Sequence, residues 1–259
     1  MDIYRFGRKW KKVTISICML INQDVSLPYD KKWQRIGVSV SGGADSALLL
    51  YLLSKKYDCE IHVITQVRCW KTRPWQLHNS IAVFDWMQET FPSKKFIRHE
   101  GFIPPDLEWS DKGPNIVDEY GKLKSGNQII LRSHNEYICH RENLDAWFAA
   151  VNLNPDIKLE NALEDRNEGH IPPVFEHMDT VVCHPFIHTR KDWIIQQYFD
   201  YDILDLLDLT RSCEGDKNDY PEVFGDLDYK TYVPSQAVPT CGKCFWCQER
   251  EWALSRVKK

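Results

Sequence analysis

Ser41-Gly42-Gly43-Ala44-Asp45-Ser46 stands between a strand-like run, Arg35-Ile-Gly-Val-Ser-Val40, and a strongly apolar run of helical character, Ala47-Leu-Leu-Leu-Tyr-Leu-Leu53. A strand, a glycine turn and a helix in this order aim backbone N–H groups at an anion. Paired glycines permit close approach and positive φ. The helix N-terminus adds unpaired donors and the positive end of its dipole. Such a nest suits a pyrophosphate. The lysine of a Gly-x-x-x-x-Gly-Lys-Ser/Thr loop is missing, so the turn is of another type. A glycine turn capped by Asp45 or Ser46 is the simpler alternative.

The turn resembles the PP-loop, Ser-Gly-Gly-x-Asp-Ser, of the N-type ATP pyrophosphatases, and every position of that motif fits. The resemblance implies an α/β fold with a parallel sheet flanked by helices, adenine nucleotide alpha-hydrolase-like and Rossmann-like. It implies that ATP is bound by Val40, Ser41, Gly42, Gly43, Ala44, Asp45 and Ser46 and is cut between the α and β phosphates, AMP passing to an oxygen of the acceptor. Asp45 and Ser46 are then candidate catalytic residues, Asp45 either holding Mg²⁺ or capping the helix.

At 259 residues the chain can bury a good core as one α/β domain with elaborations. Its formal net charge of −4 offers no overall basic field for nucleic acid. No apolar stretch is long enough to span a membrane. Residues 13–21 are short and alternate as a strand would. Their basic flank, Arg8-Lys-Trp-Lys-Lys12, mimics a signal peptide start, but no small-residue cleavage site follows. Nine cysteines, clustered rather than spread, point to metal in a reducing cytoplasm.

Further along, residues 60–65, 94–99 and 180–183 read as strands and residues 77–90 and 192–201 as helices. Residues 129–152 also read as mostly helical, with Leu144, Trp147, Phe148 and Val151 on one face. Residues 101–126 read as a long loop and the acidic stretch 159–170 as a solvated helix or loop. The alternation predicts about five parallel strands with helices on both faces, and a ligand at the carboxyl ends near the topological switch point. The expected division is an N-terminal extension over 1–34, an ATP-binding domain over 35–209 and a metal-binding segment over 210–259.

That last segment holds Cys241-Gly-Lys-Cys244-Phe-Trp-Cys247, two overlapping Cys-x-x-Cys spacings, with Cys213 upstream as a fourth sulfur. Closed four-sulfur coordination is what structural Zn²⁺ prefers, and an iron–sulfur cluster is the other centre that takes four thiolates. Cys18, Cys59, Cys69, Cys139 and Cys183 read as ordinary packed residues.

Together the two ends resemble the 7-cyano-7-deazaguanine synthase family. There a proline ends a strand, a Lys-led helix follows, then Thr-x-Ser/Thr-Cys, then Cys-Gly-x-Cys-x-x-Cys-x-x-Arg. This chain has Pro185, Lys191-Asp-Trp-Ile-Ile195, Thr210-Arg-Ser-Cys213 and Cys241-Gly-Lys-Cys-Phe-Trp-Cys-Gln-Glu-Arg250. The resemblance implies ATP, Mg²⁺ and Zn²⁺ as cofactors, a role for Lys191 beside Asp45 and Ser46, and a homodimer. It also implies a deazaguanine-type substrate: 7-carboxy-7-deazaguanine, adenylated and attacked by ammonia to give the amide or nitrile. The middle of the chain reads differently. Gln66-Val-Arg68-Cys-Trp stands where the family has a Tyr-Gly-Gln-Arg-like motif. Arg132-Ser-His-Asn135 or Arg141-Glu-Asn143 replaces Pro-Gly-Arg-Asn. The acceptor therefore stays open: another carboxylate, small or macromolecular, or a tRNA given sulfur by a PP-loop thiolase. Net charge and the C-terminal position of the cysteines argue against the thiolase, and the intact loop against a non-enzymatic zinc module.

Other residues are candidates by type alone. His134, His140, His184 and His188 are available as acids or bases, with packed imidazoles the plainer reading. Trp70 and Trp75 lie where a base could stack, and Arg68 and Arg73 share their loop.

Overall fold

The computed structural model describes residues 17–20, 25–67, 75–102, 116–117, 123–124, 126–159, 172–213 and 240–257. An antiparallel hairpin comes first, β1 (Ile17–Leu20) with β2 (Ser26–Tyr29). Then β3 (Arg35–Ser39), α1 (Ala44–Lys56), β4 (Glu60–Val67), α2 (Gln76–Thr90) and β5 (Phe96–Phe102) alternate as expected. Two short strands, β6 (Ile116–Val117) and β7 (Leu123–Lys124), pair with each other. They are followed by α3 (Gly126–Arg141), β8 (Ala146–Phe148), β9 (Val174–His177) and β10 (Thr180–Cys183). The described chain ends with α4 (Lys191–Asp200), α5 (Leu204–Asp208) and α6 (Phe245–Arg256).

The main sheet has six strands in the order β5-β4-β3-β8-β10-β9. All neighbours are parallel except β9, an antiparallel edge on β10 that the sequence pattern does not announce. The chain steps outward from β3 to β5, then returns to the other side of β3 at β8. The switch point thus lies between β3 and β8, where the rule for open α/β sheets places a ligand. Side chains alternate along β4. Ile61 and Val63 join the main core with α1 and α2, while Ile64 faces Ile138 and Cys139 of α3. Helices therefore cover both faces. Helix α1 is buried from Ser46 to Ser54, which explains its nearly uniform apolar run.

One expected helix is corrected. Helix α3 stops at Arg141, Asn143 turns the chain at φ 52°, and Ala146–Phe148 becomes a central strand. Leu144 and Phe148 do repeat at helical spacing. However, β3 and β10 offer the segment hydrogen-bond partners along both edges, and this pairing overrides the local pattern. Residues 13–16, 68–74 and 160–171 lie outside the described residues, so the readings placed on them, Arg68, Cys69, Trp70 and Arg73 included, do too. Among the described residues no helix is long and apolar enough to cross a membrane.

The β1–β2 hairpin is fastened to the sheet by aromatics. Tyr57, just past α1, packs against Tyr29, Trp33 and Phe148, and its hydroxyl donates to the Pro28 carbonyl. Tyr57→Phe keeps the ring and removes the donor, leaving a buried carbonyl unmet. The expected loss is about 1–2 kcal/mol, read as a lower urea midpoint at unchanged slope. An unaltered midpoint would show that ring packing alone holds the hairpin.

Candidate functional site

At the end of β3 the chain is held from both sides. The Val40 N–H donates to the Ile64 carbonyl (2.8 Å), and Thr65 Oγ1 donates to the Val40 carbonyl (3.0 Å). The turn then closes on itself. Ser46 Oγ accepts from the Ser41 N–H (3.1 Å) and donates to the Gly43 carbonyl (3.1 Å). Positive φ belongs to Gly42 (+73°), where a Cβ would meet Asn79 Cβ at 2.8 Å and the Ser80 backbone nitrogen at 2.9 Å. Gly43 is extended, φ −89°, and a Cβ there would sit in ordinary contact, 3.4 Å from Ser41 Oγ. The left-handed requirement expected of the glycine pair thus falls on Gly42 alone, which lets the turn nest against the first residues of α2. Gly43 is also the N-cap of α1, and no side chain caps that helix, so neither Asp45 nor Ser46 acts as a cap.

Asp45 points elsewhere. Its Oδ2 accepts from Nζ of Lys191, the first residue of α4, and Glu249 Oε2 of α6 lies 3.8 Å from the same ammonium. Lys191 and Glu249 are both buried. Asp45 Oδ1 is buried without a protein hydrogen bond. Tyr198 of α4 completes the clamp, its hydroxyl donating to the Ala44 carbonyl (2.6 Å); burial pushes that phenol's pKa well up. The expected trio Asp45, Ser46 and Lys191 is thus brought together around the loop. A cavity of about 380 Å³ opens over it. The loop, Lys191, Gln66 of β4, Asn135 of α3 and Asn152 beyond β8 all line it. Gln66 Nε2 donates to Asn135 Oδ1 (2.8 Å), so β4 and α3 meet over the glycine turn.

The cysteine segment reaches the same place. The Arg211 N–H donates to the Gly42 carbonyl (2.8 Å), and Asn79 Nδ2 donates to the Leu209 carbonyl (2.8 Å). The Trp75 indole N–H donates to the Cys213 carbonyl (3.1 Å), while the Arg211 guanidinium lies 3.6 Å above that ring. Trp75 therefore serves as a joint, with one face covered by Arg211. From α6, Arg250 donates to the Thr210 and Leu207 carbonyls and to Thr210 Oγ1; burial lowers its pKa. Cys213, Cys241, Cys244 and Cys247 place their sulfurs within 4.8 Å of one another. The sulfurs of Cys213 and Cys241 are 3.5 Å apart, and those of Cys241 and Cys247 are 3.9 Å apart. A tetrahedral ion with metal–sulfur bonds of about 2.3 Å sets sulfur–sulfur edges of roughly 3.8 Å. The crowding itself opposes ionisation: contact with Cys213 raises Cys244 to about 12 and raises Cys247 as well. A cation between the sulfurs reverses that balance, so the residues fit a metal. Gly242, at φ +70° with open space around it, makes the turn between Cys241 and Cys244.

The four candidate histidines do not converge. His134 touches Gln66 (2.6 Å) at the cavity's edge and His140 is exposed. His184 packs on Phe175, and His188 lies at a separate surface hollow. Arg141 bonds Glu142 and His99, away from the loop. Arg211, Ser212, Asn79 and Glu249 were not singled out from sequence. Arg211 and Ser212 carried a weak signal as neighbours of Cys213; Asn79 carried none.

Two substitutions probe this architecture. Lys191→Met leaves the buried Glu249 carboxylate without its cation and is expected to cost about 3–5 kcal/mol in chemical denaturation. Adding Glu249→Gln should restore part of that loss; no recovery would argue that Lys191 acts mainly through Asp45. Cys244→Ser should abolish stoichiometric metal by elemental analysis and lower Tm in the same preparation, since binding energy at such sites is folding energy. A folded variant with full metal content would remove Cys244 from the ligand set.

The chain matches no protein-family model and no curated protein. Among solved structures it is similar to the U34-tRNA thiolase NcsA from Methanococcus maripaludis with its 4Fe-4S cluster. That match has 13% identity and a TM-score of 0.42, covering 87% of this chain and 73% of that one. It is also similar to phosphoadenylyl-sulfate (PAPS) reductase from Candida auris in a phosphate complex. Here identity is 11% and the TM-score 0.40, over 72% of this chain and 83% of that one.

Proposed function

We propose that the chain binds ATP at residues 41–46, adenylates a carboxylate held in the adjoining cavity, and passes the activated acyl group to ammonia. The observation that carries this reading is the loop itself. Gly42 nests it on α2, Ser46 ties it shut, and it stands at the switch point of a parallel sheet below a cavity of about 380 Å³. The chemistry needs such a site. A carboxylate is a poor electrophile; when its oxygen attacks the α phosphorus, the bond to the β-phosphate oxygen breaks and pyrophosphate leaves with the electron pair. Ammonia then displaces AMP to give an amide, and a second activation and loss of the amide oxygen gives a nitrile. The protein's share is positioning and charge stabilisation. Mg²⁺ would neutralise phosphate charge, and Asp45, whose Oδ1 is buried without a protein hydrogen bond, would hold it. Gln66, Asn135 and Asn152 offer an amide-rich wall to the acceptor, in keeping with a deazaguanine-type base.

The four thiols are read as a structural Zn²⁺ site. Their close spacing suits one ion, whereas a four-iron cube, with its metals spread between the ligands, holds thiolates farther apart. Sulfur transfer is kept as the second reading, because Cys213 lies two residues beyond Arg211 and the cluster is therefore not remote from the cavity.

The test is incubation with ATP, Mg²⁺ and 7-carboxy-7-deazaguanine, with ammonia or a sulfur donor as alternative arms, followed by pyrophosphate assay and mass spectrometry. Acceptor-dependent pyrophosphate release and an amide or nitrile in the ammonia arm alone are expected. A thiolated product moves the reading to sulfur transfer. Absence of pyrophosphate release with any carboxylate would falsify adenylation.

A further inference from the structure

We propose that Gln76 reads the base of the nucleotide, its side-chain amide taking the amino edge of adenine and so selecting ATP; this rests on the ATP reading above. Gln76 is the first residue of α2 and lines the cavity. It opens the buried stripe of that helix, Gln76, Ser80, Val83, Phe84 and Met87, which recurs at helical spacing. The last three are apolar and pack in the main core, whereas the first carries an amide. Gln76 is only 5% exposed, and its Oε1 is buried without a protein hydrogen bond. An acceptor in this state costs free energy until a ligand supplies the donor. A methionine at this position would continue the stripe without that cost.

The chemistry of this atom narrows the partner. Ionised phosphate and carboxylate are acceptors and bring no proton to Oε1. Adenine does. Its amino group donates to Oε1, and the ring nitrogen beside it accepts from Nε2, the two-bond match that glutamine makes with this base. The position agrees. Ser80 packs against the glycine turn, its backbone nitrogen 2.9 Å from where a Cβ on Gly42 would lie. Gln76 precedes it by four residues, a rise of about 6 Å along the helix. Its amide is thus set one helical turn off from the phosphate seat, as a base joined through a ribose must be. Val40 and Ile64 line the same cavity and offer apolar surface to the faces of a ring. Trp75, directly before Gln76, bonds the Cys213 carbonyl through its indole N–H (3.1 Å), which fixes the start of α2. Helices α2 and α3 cover opposite faces of the sheet. Gln76 therefore approaches the cavity from the side opposite Asn135, which leaves the Gln66–Asn135 pair to the acceptor.

The experiment is calorimetric titration of the metal-loaded full chain, in Mg²⁺, with ATP, purine riboside triphosphate and inorganic pyrophosphate, for the parent and Gln76→Met. Purine riboside triphosphate differs from ATP in lacking the amino group. The parent is expected to prefer ATP to it by about 5- to 150-fold. In Gln76→Met that preference should vanish through weaker ATP binding, while pyrophosphate affinity and the ligand-free Tm hold. Equal affinity of the parent for the two triphosphates overturns the assignment; pyrophosphate binding then leaves the ATP reading standing. A preference that survives in Gln76→Met also overturns it, and so does a parallel loss of pyrophosphate, which marks a general disturbance of the site. If the methionine variant does not fold, Gln76→Leu decides on the same comparison. Loss of the fold in both shows that the amide serves the core and is likewise an overturning result. A parent that binds neither ATP nor pyrophosphate removes the proposal together with the ATP reading.

Discussion

The ammonium group of Lys191 lies buried where three helices meet. Helix α4 begins with it, α1 offers Asp45 from its first turn, and α6 offers Glu249 two residues after Cys247. A buried charge is tolerated only with partners close by, and carboxylates without the cation are no better placed. Each of the three helices is therefore held in register by the other two. The glycine turn opens α1, and the last three cysteines open α6. The geometry of one end of the cavity thus depends on the other through a single side chain.

A second link runs along the backbone. The segment from Leu209 to Cys213 is bonded in turn to Asn79, Gly42 and Trp75 before it brings a sulfur to the four-thiol cluster. Distance along the chain is misleading here. Cysteines more than 160 residues beyond the glycine turn converge on a segment that touches it. Their C-terminal position therefore gives no reason to set sulfur chemistry aside. Sulfur spacing bears on that question directly, because one ion and a cube of irons demand different separations.

Much of this arrangement is local and so could be read from residues. The glycine turn, its strand and its helix are contiguous, and the Cys-x-x-Cys spacings are legible without tertiary information. The strand β8 was not. Leu144 and Phe148 fit a helix as well as a buried strand, and a short apolar run does not distinguish the two. The deciding features were the turn at Asn143 and the vacancy between β3 and β10, which exist only in three dimensions. The antiparallel edge β9 was missed for the same reason. Within the site, Gly42 and Gly43 look alike in sequence, yet the neighbouring Asn79 makes only the first conformationally demanding. Glu249 reads as one more polar residue in a helix, until Lys191 is found buried beside it.

Cys213 and Cys241 are 28 positions apart in the chain, yet their sulfurs lie 3.5 Å from each other. The two ends of that stretch are therefore held at one point of the fold. A cross-link that closes a loop of this kind confers a stability that changes only with the logarithm of loop length. The closure entropy at the four thiols should therefore depend only weakly on the number of residues between Cys213 and Cys241. Closing the chain at these two sulfurs thus ties a distant stretch of sequence to the fold at a cost that hardly depends on its length.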